Sequence, residues 1–337
     1  MGRAWLADPK WGEKAKAGAT GEIRKCIGCM YCFQTLMERI PQCGAPQCAI
    51  NPRAFNEVAL PLPKIDEQHH HVVVIGGGPA GLCAALTAAE REMRVTLIEK
   101  NDRLGGLVNY ASASPVKGDM HWVIDWYENQ IMKKGVNVML STEASVGLLK
   151  QLAPDAIIVA TGAEIFVPDN IPGVDMEHVY DIYDILGGTS GLKDESVAII
   201  GAGITGLECG EYLNETGCRT TIIDMTPSPA PNDFQGIVMD DCGRLAQAGT
   251  QFIMNHALKE IRKDCVVISD IRDNTETTVP CHTVVLSLGL KSNDAIVSQL
   301  EENFDRVAVV GGAKEVAGKI GGAVNSAYQC VLNLFSE

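Results

Sequence analysis

One feature limits the fold of this chain more than any other: a strand–loop–helix–strand pattern occurs twice, at a constant spacing of 125 residues. The first copy reads Val-Val-Val-Ile-Gly76-Gly-Gly78-Pro79-Ala80-Gly81, and the second reads Val-Ala-Ile-Ile-Gly201-Ala-Gly203-Ile204-Thr205-Gly206. Val72 aligns with Val197, Gly76 with Gly201, Gly81 with Gly206 and Glu99 with Asp224, without a gap. A fixed spacing of this kind marks repeated supersecondary units. In each copy a short apolar run, Val72–Ile75 or Val197–Ile200, predicts a buried strand. A longer apolar stretch, Pro79–Arg91 or Ile204–Thr216, predicts a helix. A second strand follows at Val95–Ile98 or Arg219–Ile223.

The loop between strand and helix is Gly-x-Gly-x-x-Gly in both copies. The first glycine makes the tight turn, the second admits a pyrophosphate, and the third lets the helix close on the strand. The helix start adds free N–H groups for the phosphates. Each second strand ends in an acid, Glu99 (followed by Lys100) or Asp224, 23 residues beyond the first glycine. A carboxylate there accepts hydrogen bonds from ribose hydroxyls. Met225-Thr226-Pro227 follows Asp224, with no Lys or Arg to meet a 2′-phosphate, so NADH is favoured over NADPH. A glycine-rich structural turn is the bland alternative, and two complete copies weigh against it. The residues thus predict two dinucleotide sites.

Composition narrows the rest. The 337 residues suffice for two or three domains, and 46% apolar content allows a large core. A net charge of -14 and the lack of any Lys/Arg cluster argue against a nucleic-acid partner. Val72–Ala89 runs 18 residues without a formal charge, but its four glycines and Pro79 read as strand, turn and buried helix, not a membrane span. The N-terminus has no signal-peptide layout, so a cytoplasmic location is expected, and the twelve cysteines do not read as a disulfide framework. Cys83, Cys209 and Cys330 sit in apolar helices and read as core, with no redox-active C-x-x-C partner. His69-His70-His71 reads as a polar lead-in to the first strand rather than a metal site. Trp122, Trp126 and Tyr127 read as helix packing within Asp119–Lys134, and an early helix is expected at Lys10–Gly18. Glu208, after the third glycine of the second loop, reads equally as a group that orients a nicotinamide or as a solvated carboxylate.

The cysteines concentrate in one place. Cys26-Ile-Gly-Cys29-Met-Tyr-Cys32 is a C-x2-C-x2-C run, with Cys43 and Cys48 beyond it. Three thiolates on one turn hold one face of an iron–sulfur centre and a distant fourth closes it. Zinc is the rival, though its sites more often use two separate C-x2-C pairs.

Two resemblances extend this reading. Ala160-Thr161-Gly162-Ala163 after one strand, and Ser287-Leu288-Gly289 after Thr283–Leu286, resemble the crossovers of the glutathione reductase type of fold. That implies an α/β architecture of two Rossmann-like FAD/NAD(P)-binding domains, preceded by a small iron–sulfur segment. The implied division is a barrel remnant and iron–sulfur segment at 1–63, an FAD domain at 64–165 and 290–337, and an NAD(H) domain at 166–289. One departure stands in Val309-Val310-Gly311-Gly312-Ala313, where Gly312 occupies the place of the Asp that touches the flavin ribityl chain. A helix Gly318–Phe335 is expected to follow.

Cys48-Ala49-Ile50-Asn51-Pro52 resembles the close of the 4Fe-4S site in the 2,4-dienoyl-CoA reductase, enoate reductase and trimethylamine dehydrogenase family. Gly2-Arg3-Ala4-Trp5-Leu6-Ala7-Asp8-Pro9 resembles the end of that family's FMN-binding TIM barrel, and Ile23-Arg24-Lys25-Cys26 its approach to the cluster. Leu104-Gly105-Gly106 and Pro115-Val116-Lys117 resemble its flavin-side loop. Essentially the whole chain is similar to the C-terminal half of that family. The resemblance implies a 4Fe-4S cluster on Cys26, Cys29, Cys32 and Cys48, with Cys43 as the alternative fourth ligand. It implies FAD at Gly76–Gly81, Glu99, Lys100, Gly106, Thr161, Gly162 and Gly312, and NAD(H) at Gly201–Gly206, Glu208 and Asp224. Electrons would run from NADH through FAD and the cluster to FMN on a barrel domain or subunit. The catalytic acids belong to that barrel, so no catalytic residue is expected in this chain. Two alternatives stay open: a structural domain holding ADP alone, as in trimethylamine dehydrogenase, and a free-standing NADH:acceptor oxidoreductase. The final substrate and the oligomeric state are not encoded in these motifs.

Overall fold

The computed structural model describes residues 2–188, 190–316 and 319–335. The chain forms two compact units. The first holds the chain up to residue 108, residues 119–164 and the chain from 292 onward; the second holds 109–118 and 165–291.

The first unit is built on five parallel strands in the order Val307–Val309, Ala156–Val159, His71–Ile75, Arg94–Ile98, Asn137–Met139. A parallel sheet is covered on both faces, so its strands are apolar throughout rather than alternating. Accordingly every residue of His71–Ile75 is buried. Val72 and Val74 point into one core with helices Pro79–Glu90, Trp122–Lys133 and Ile320–Asn333, while Val73 and Ile75 point into the other. Leu82 is fully buried there, and its truncation to Ala would cost roughly 2–5 kcal/mol.

The second unit repeats the plan. Its parallel strands run Val179–Asp181, Thr283–Leu286, Ser196–Ile200, Arg219–Ile223, Gln251–Ile253. Val197 and Ile199 face a core with helix Ile204–Glu215. Ala198 and Ile200 face the antiparallel ladder His256–Ile261, Cys265–Asp270, Glu276–Pro280. The same βαβ sequence therefore builds two sheets whose central strands are the two glycine-loop strands.

The structure departs from the sequence reading in several places. The first 63 residues are not a separate body: Ala7, Ile27, Ala49, Ile50 and Leu60 lie in the same core as the first sheet. The segment 109–118, with Pro115-Val116-Lys117, belongs to the second unit. The early helix is Trp11–Lys16, and Asp119–Lys134 begins as a 3-10 turn, Gly118–His121, before the α-helix Trp122–Lys133. The last helix is Ile320–Asn333; Gly318, where it was expected to start, and the final two residues lie outside the described residues. Among the described residues no helix is long and apolar enough to cross a membrane.

Candidate dinucleotide loops and cysteine segment

Both glycine loops are held by the same backbone bonds. Gly76 N–H donates to the Ile98 carbonyl at 2.7 Å, and Gly201 N–H to the Ile223 carbonyl at 2.8 Å. Gly76 and Gly201 have φ of 106° and 112°, a region that only glycine enters without strain. Gly81 and Gly206 sit where a Cβ would run into the carbonyl oxygens of Gly76 and Gly201, so helix and strand close only over a hydrogen atom. The middle glycines differ from these. A Cβ at Gly78 would meet only the Cα of Gly106, at 4.0 Å, and one at Gly203 would meet nothing within 4 Å. Neither Pro79–Glu90 nor Ile204–Glu215 carries a side-chain N-cap. Open space above the second glycine and uncapped helix N–H groups, at Ala80 and Gly81 or at Ile204 and Thr205, form the cradle a pyrophosphate needs.

The acids close each loop from behind. Glu99 Oε2 accepts from Gly77 N–H and Asp224 Oδ2 from Ala202 N–H, both at 2.6 Å. The other oxygens accept from Asn101 N–H at 2.8 Å and Thr226 N–H at 2.7 Å. Each carboxylate is thus fixed by its own chain, with lone pairs left over for a ribose. Lys100 beside Glu99 is exposed.

The surroundings of the loops differ. Over the first lies Leu104-Gly105-Gly106: Leu104 fills the space beside Gly77, and a Cβ on Gly106 would stand 3.1 Å from the Gly78 Cα. Thr161 Oγ donates to the Asn293 carbonyl, and Gly162 O accepts from Asn293 N–H at 3.0 Å. Gly312 backs onto this turn. Its carbonyl accepts from Ser292 Oγ at 2.9 Å, and a Cβ there would come within 3.2–3.4 Å of the Gly162–Ala163 backbone. The glycine at this position is what lets those two backbone segments meet.

In the second unit Glu208 is buried and forms an ion pair with Lys117 of the 109–118 segment. The solvated reading of Glu208 is therefore wrong: burial pushes its carboxyl up, against the opposing pull of Lys117. No local pattern marks Lys117 as its partner, because the two lie 91 residues apart.

The cysteine segment is anchored by residues of the flanking motifs and by Tyr31 within the run. Asp8 accepts from the backbone N–H groups of Lys10 and Arg24, at 3.0 and 2.9 Å, and pairs with Lys14 at 2.6 Å. Burial pushes the Asp8 carboxyl up, but Lys14 and those N–H groups outweigh it and hold it below the usual carboxylate range. Arg24 and Lys25 lie 4.8 Å from the ring centres of Trp126 and Trp122, cation–π contacts that dock the approach to Cys26 onto helix Trp122–Lys133. On the other side Tyr31 packs against Gly321 of the last helix, at a spot where any side chain would collide with its ring. Asn51 explains part of the Cys48–Pro52 motif: its side-chain amide donates to the Leu6 carbonyl at 2.8 Å.

Cys26, Cys29, Cys32 and Cys48 are half-buried and Cys43 is exposed. Burial pushes the Cys29 thiol up to about 11, against the N–H of Tyr31, and like charge from Cys48, Cys26 and Cys32 adds to the rise. Burial also raises Cys48, against the N–H groups of Ile50 and Asn51. Cys26, Cys32 and Cys48 therefore each act on Cys29 electrostatically. Among the described residues no three His, Cys, Asp or Glu side chains stand as a site for a single metal ion. In the histidine run, His71 is buried as the first residue of its strand, bonded to Thr96 at 3.0 Å, and His70 pairs with Asp66 at 2.9 Å. Cys83 and Cys209 are buried in their cores, and Cys330 packs against one.

Comparison with known proteins agrees with this geometry. The family model described as pyridine nucleotide-disulphide oxidoreductase matches residues 70–311. An NADH oxidase from Thermoanaerobacter brockii is 36% identical over 334 residues, which is 98% of this chain and 50% of that protein. A bilirubin reductase from Mediterraneibacter gnavus is 30% identical over 328 residues, 97% of this chain and 50% of the relative. The solved 2-naphthoyl-CoA reductase–2-naphthoyl-CoA complex superposes with a TM-score of 0.89 at 28% identity, covering 98% of this chain and 49% of the other. Thioredoxin reductase from Lactococcus lactis, at 20% identity and a TM-score of 0.64, shares the fold over 79% of this chain. The chain spans about half the length of the curated relatives it matches. These relatives are of the kind to which the cysteine run and its flanking motifs pointed. With a full-length match to such reductases and the family pattern across both glycine loops, the chain belongs to the pyridine nucleotide-disulphide oxidoreductase family.

Proposed function

We propose that the chain is the NADH-oxidising half of a flavin and iron–sulfur reductase. In this reading Gly76–Gly81 and Glu99 hold FAD, and Gly201–Gly206 and Asp224 hold NADH. Cys26, Cys29, Cys32 and Cys48 hold a 4Fe-4S cluster. The observation that carries it is the duplicated nest, two open phosphate cradles closed by identical carboxylate bonds. When bound, the flavin supplies the change from hydride to single-electron transfer and the cluster supplies the one-electron exit.

The chain's own residues bind and orient. Glu99 and Asp224 set the ribose positions from backbone-fixed carboxylates. Lys117 pairs with the buried Glu208, which lies on the helix that starts at the second loop. Asp8, Arg24 and Tyr31 fix the cysteine turn within the first unit. The cysteine arrangement favours a cluster over zinc. Cys26, Cys29 and Cys32 form a C-x2-C-x2-C run with Cys48 beyond it, a spacing more usual for iron–sulfur ligands than the two separate C-x2-C pairs common in zinc sites. The electrons would leave to an FMN-binding barrel domain or subunit, because the relatives, a bilirubin reductase among them, are twice as long as the matched stretch.

A second reading, ADP in the first loop without a flavin, is favoured by Gly312, which offers no side chain where the ribityl chain would lie. Denaturing the purified chain and identifying the released nucleotide, with iron and acid-labile sulfide assayed on the same sample, separates the two. FAD with about four irons per chain supports the proposal. ADP alone, or zinc in place of iron, contradicts it.

A further inference from the structure

A cleft of about 710 Å³ lies in the first unit between the Asn56–Lys64 linker, the cysteine segment and the end of the last helix. It is at the C-terminal ends of helices Pro79–Glu90 and Ile320–Asn333, the opposite end from the glycine loop. A 12-residue helix is about 18 Å long, so the cleft is separate from the dinucleotide cradle. We propose that this cleft is a third ligand site, for a nucleotide bearing a terminal phosphate.

Its charge is the first argument. Three cations line it, Arg39, Lys64 and Arg91, and no carboxylate does, on a chain whose net charge is -14. Among the described residues none of the three forms an ion pair.

The second argument is the state of Arg91. Its residue is only 8% exposed, and its guanidinium is clamped by carbonyls: Nε donates to Lys64 O at 3.2 Å, and Nη1 to Leu334 O at 2.9 Å and to Val331 O. Among the described residues no hydrogen bond reaches its Nη2. Asp66 acts on it through space, but that carboxylate already accepts from the His70 N–H and ring. The guanidinium is held rigidly by three carbonyls while Nη2, which is not sealed from solvent, stays free as a donor in need of an acceptor. A phosphate dianion set among three cations meets that need, and Arg39 and Lys64 can close on it from the wall.

The third argument is the lining beyond the charges. Leu60, Leu62 and Leu332 provide an apolar wall, and the side-chain amides of Gln47, Asn56 and Gln329 provide donors and acceptors. A flat base with polar edges fits such a surface, and the volume is that of an ordinary small-ligand pocket.

The test is calorimetric titration of ADP into the full chain with saturating FAD and NAD⁺ filling the glycine loops, with pyrophosphate as the control probe. We expect one ADP per chain, and at least about tenfold weaker binding in Lys64→Gln and in the Arg39→Gln/Lys64→Gln double variant, the loss of one or two charged contacts. Pyrophosphate should bind more weakly than ADP. Lys64 is exposed, so its single variant carries the test if the double variant does not fold. Equal ADP isotherms in wild type and Lys64→Gln, no ADP uptake, or pyrophosphate binding as tight as ADP would each overturn the assignment.

Discussion

The two glycine loops share one skeleton and differ in what covers it. The backbone bonds of Gly76, Gly77 and Asn101 recur 125 residues on at Gly201, Ala202 and Thr226. The correspondence even runs past the point where the sequences stop matching: Gly105 N–H donates to Gly77 O, and Ala230 N–H to Ala202 O, each at 2.9 Å. Yet the first loop is roofed by Leu104 and Gly106, while the second lies in the unit that carries the Lys117–Glu208 ion pair. In the proposed function the shared part would recognise what two dinucleotides have in common, the pyrophosphate and ribose. The unshared part is where a tightly kept flavin and an exchanging nicotinamide must differ.

The comparison is broken most severely at the third glycines. Gly81→Ala and Gly206→Ala each force a methyl into a carbonyl oxygen, at a cost of about 3 kcal/mol or more. Gly81→Ala should yield protein without flavin absorbance. Gly206→Ala should keep the flavin band and lose its bleaching by NADH. If both variants lose flavin equally, the two loops do not have separate ligands. Swapping the acids is gentler. Glu99→Gln should weaken flavin retention, and Asp224→Asn should raise KM for NADH about tenfold with kcat little changed, as expected for one charge-assisted hydrogen bond of about 1.5 kcal/mol.

Gly312→Asp restores the residue the related fold carries, so it sharpens the comparison from the other side. The added Cβ would stand 3.2–3.4 Å from the Gly162–Ala163 backbone, which must shift by a few tenths of an ångström to admit it. We expect about 1–3 kcal/mol of destabilisation, read as a lower Tm. Tighter flavin binding with unchanged Tm would show that the missing Asp, not the close backbone approach, governs this position.

The smallest effect concerns the anchor of the cysteine segment. The folded pKa of Asp8 is depressed, so its contribution is present above the unfolded carboxylate range and is lost as pH falls through the folded value. Asp8→Asn should therefore lower stability at neutral pH and flatten its decline on acidification. Parallel curves for the two proteins would remove Asp8 from the account.

Much of this was legible in the residues. The glycines, the strand runs and the terminal acids each obey a local rule, and the constant spacing of the two copies exposed the duplication. What stayed hidden was non-local. Lys117 reaches Glu208 across 91 residues, and nothing in Pro115-Val116-Lys117 tells which unit it joins. Ile23-Arg24-Lys25-Cys26 reads as an approach to the cluster, but nothing local pairs Arg24 with Trp126 or Lys25 with Trp122. The first 63 residues looked separate because Pro61 and Pro63 punctuate them, but Ile27, Ile50 and Leu60 bury themselves in the neighbouring core. Gly312 looked like a lost contact in sequence; in the structure it is also a place where the Gly162–Ala163 backbone packs tightly.

The central claim is that the first loop serves a flavin and the second serves its reductant. Anaerobic titration of the flavin-loaded chain with NADH, followed by absorption, tests it most directly. The account predicts that the flavin band bleaches with about one NADH per chain, and that Gly206→Ala abolishes the bleaching while the band itself remains. A flavin band that NADH leaves unchanged in the wild-type chain would contradict it.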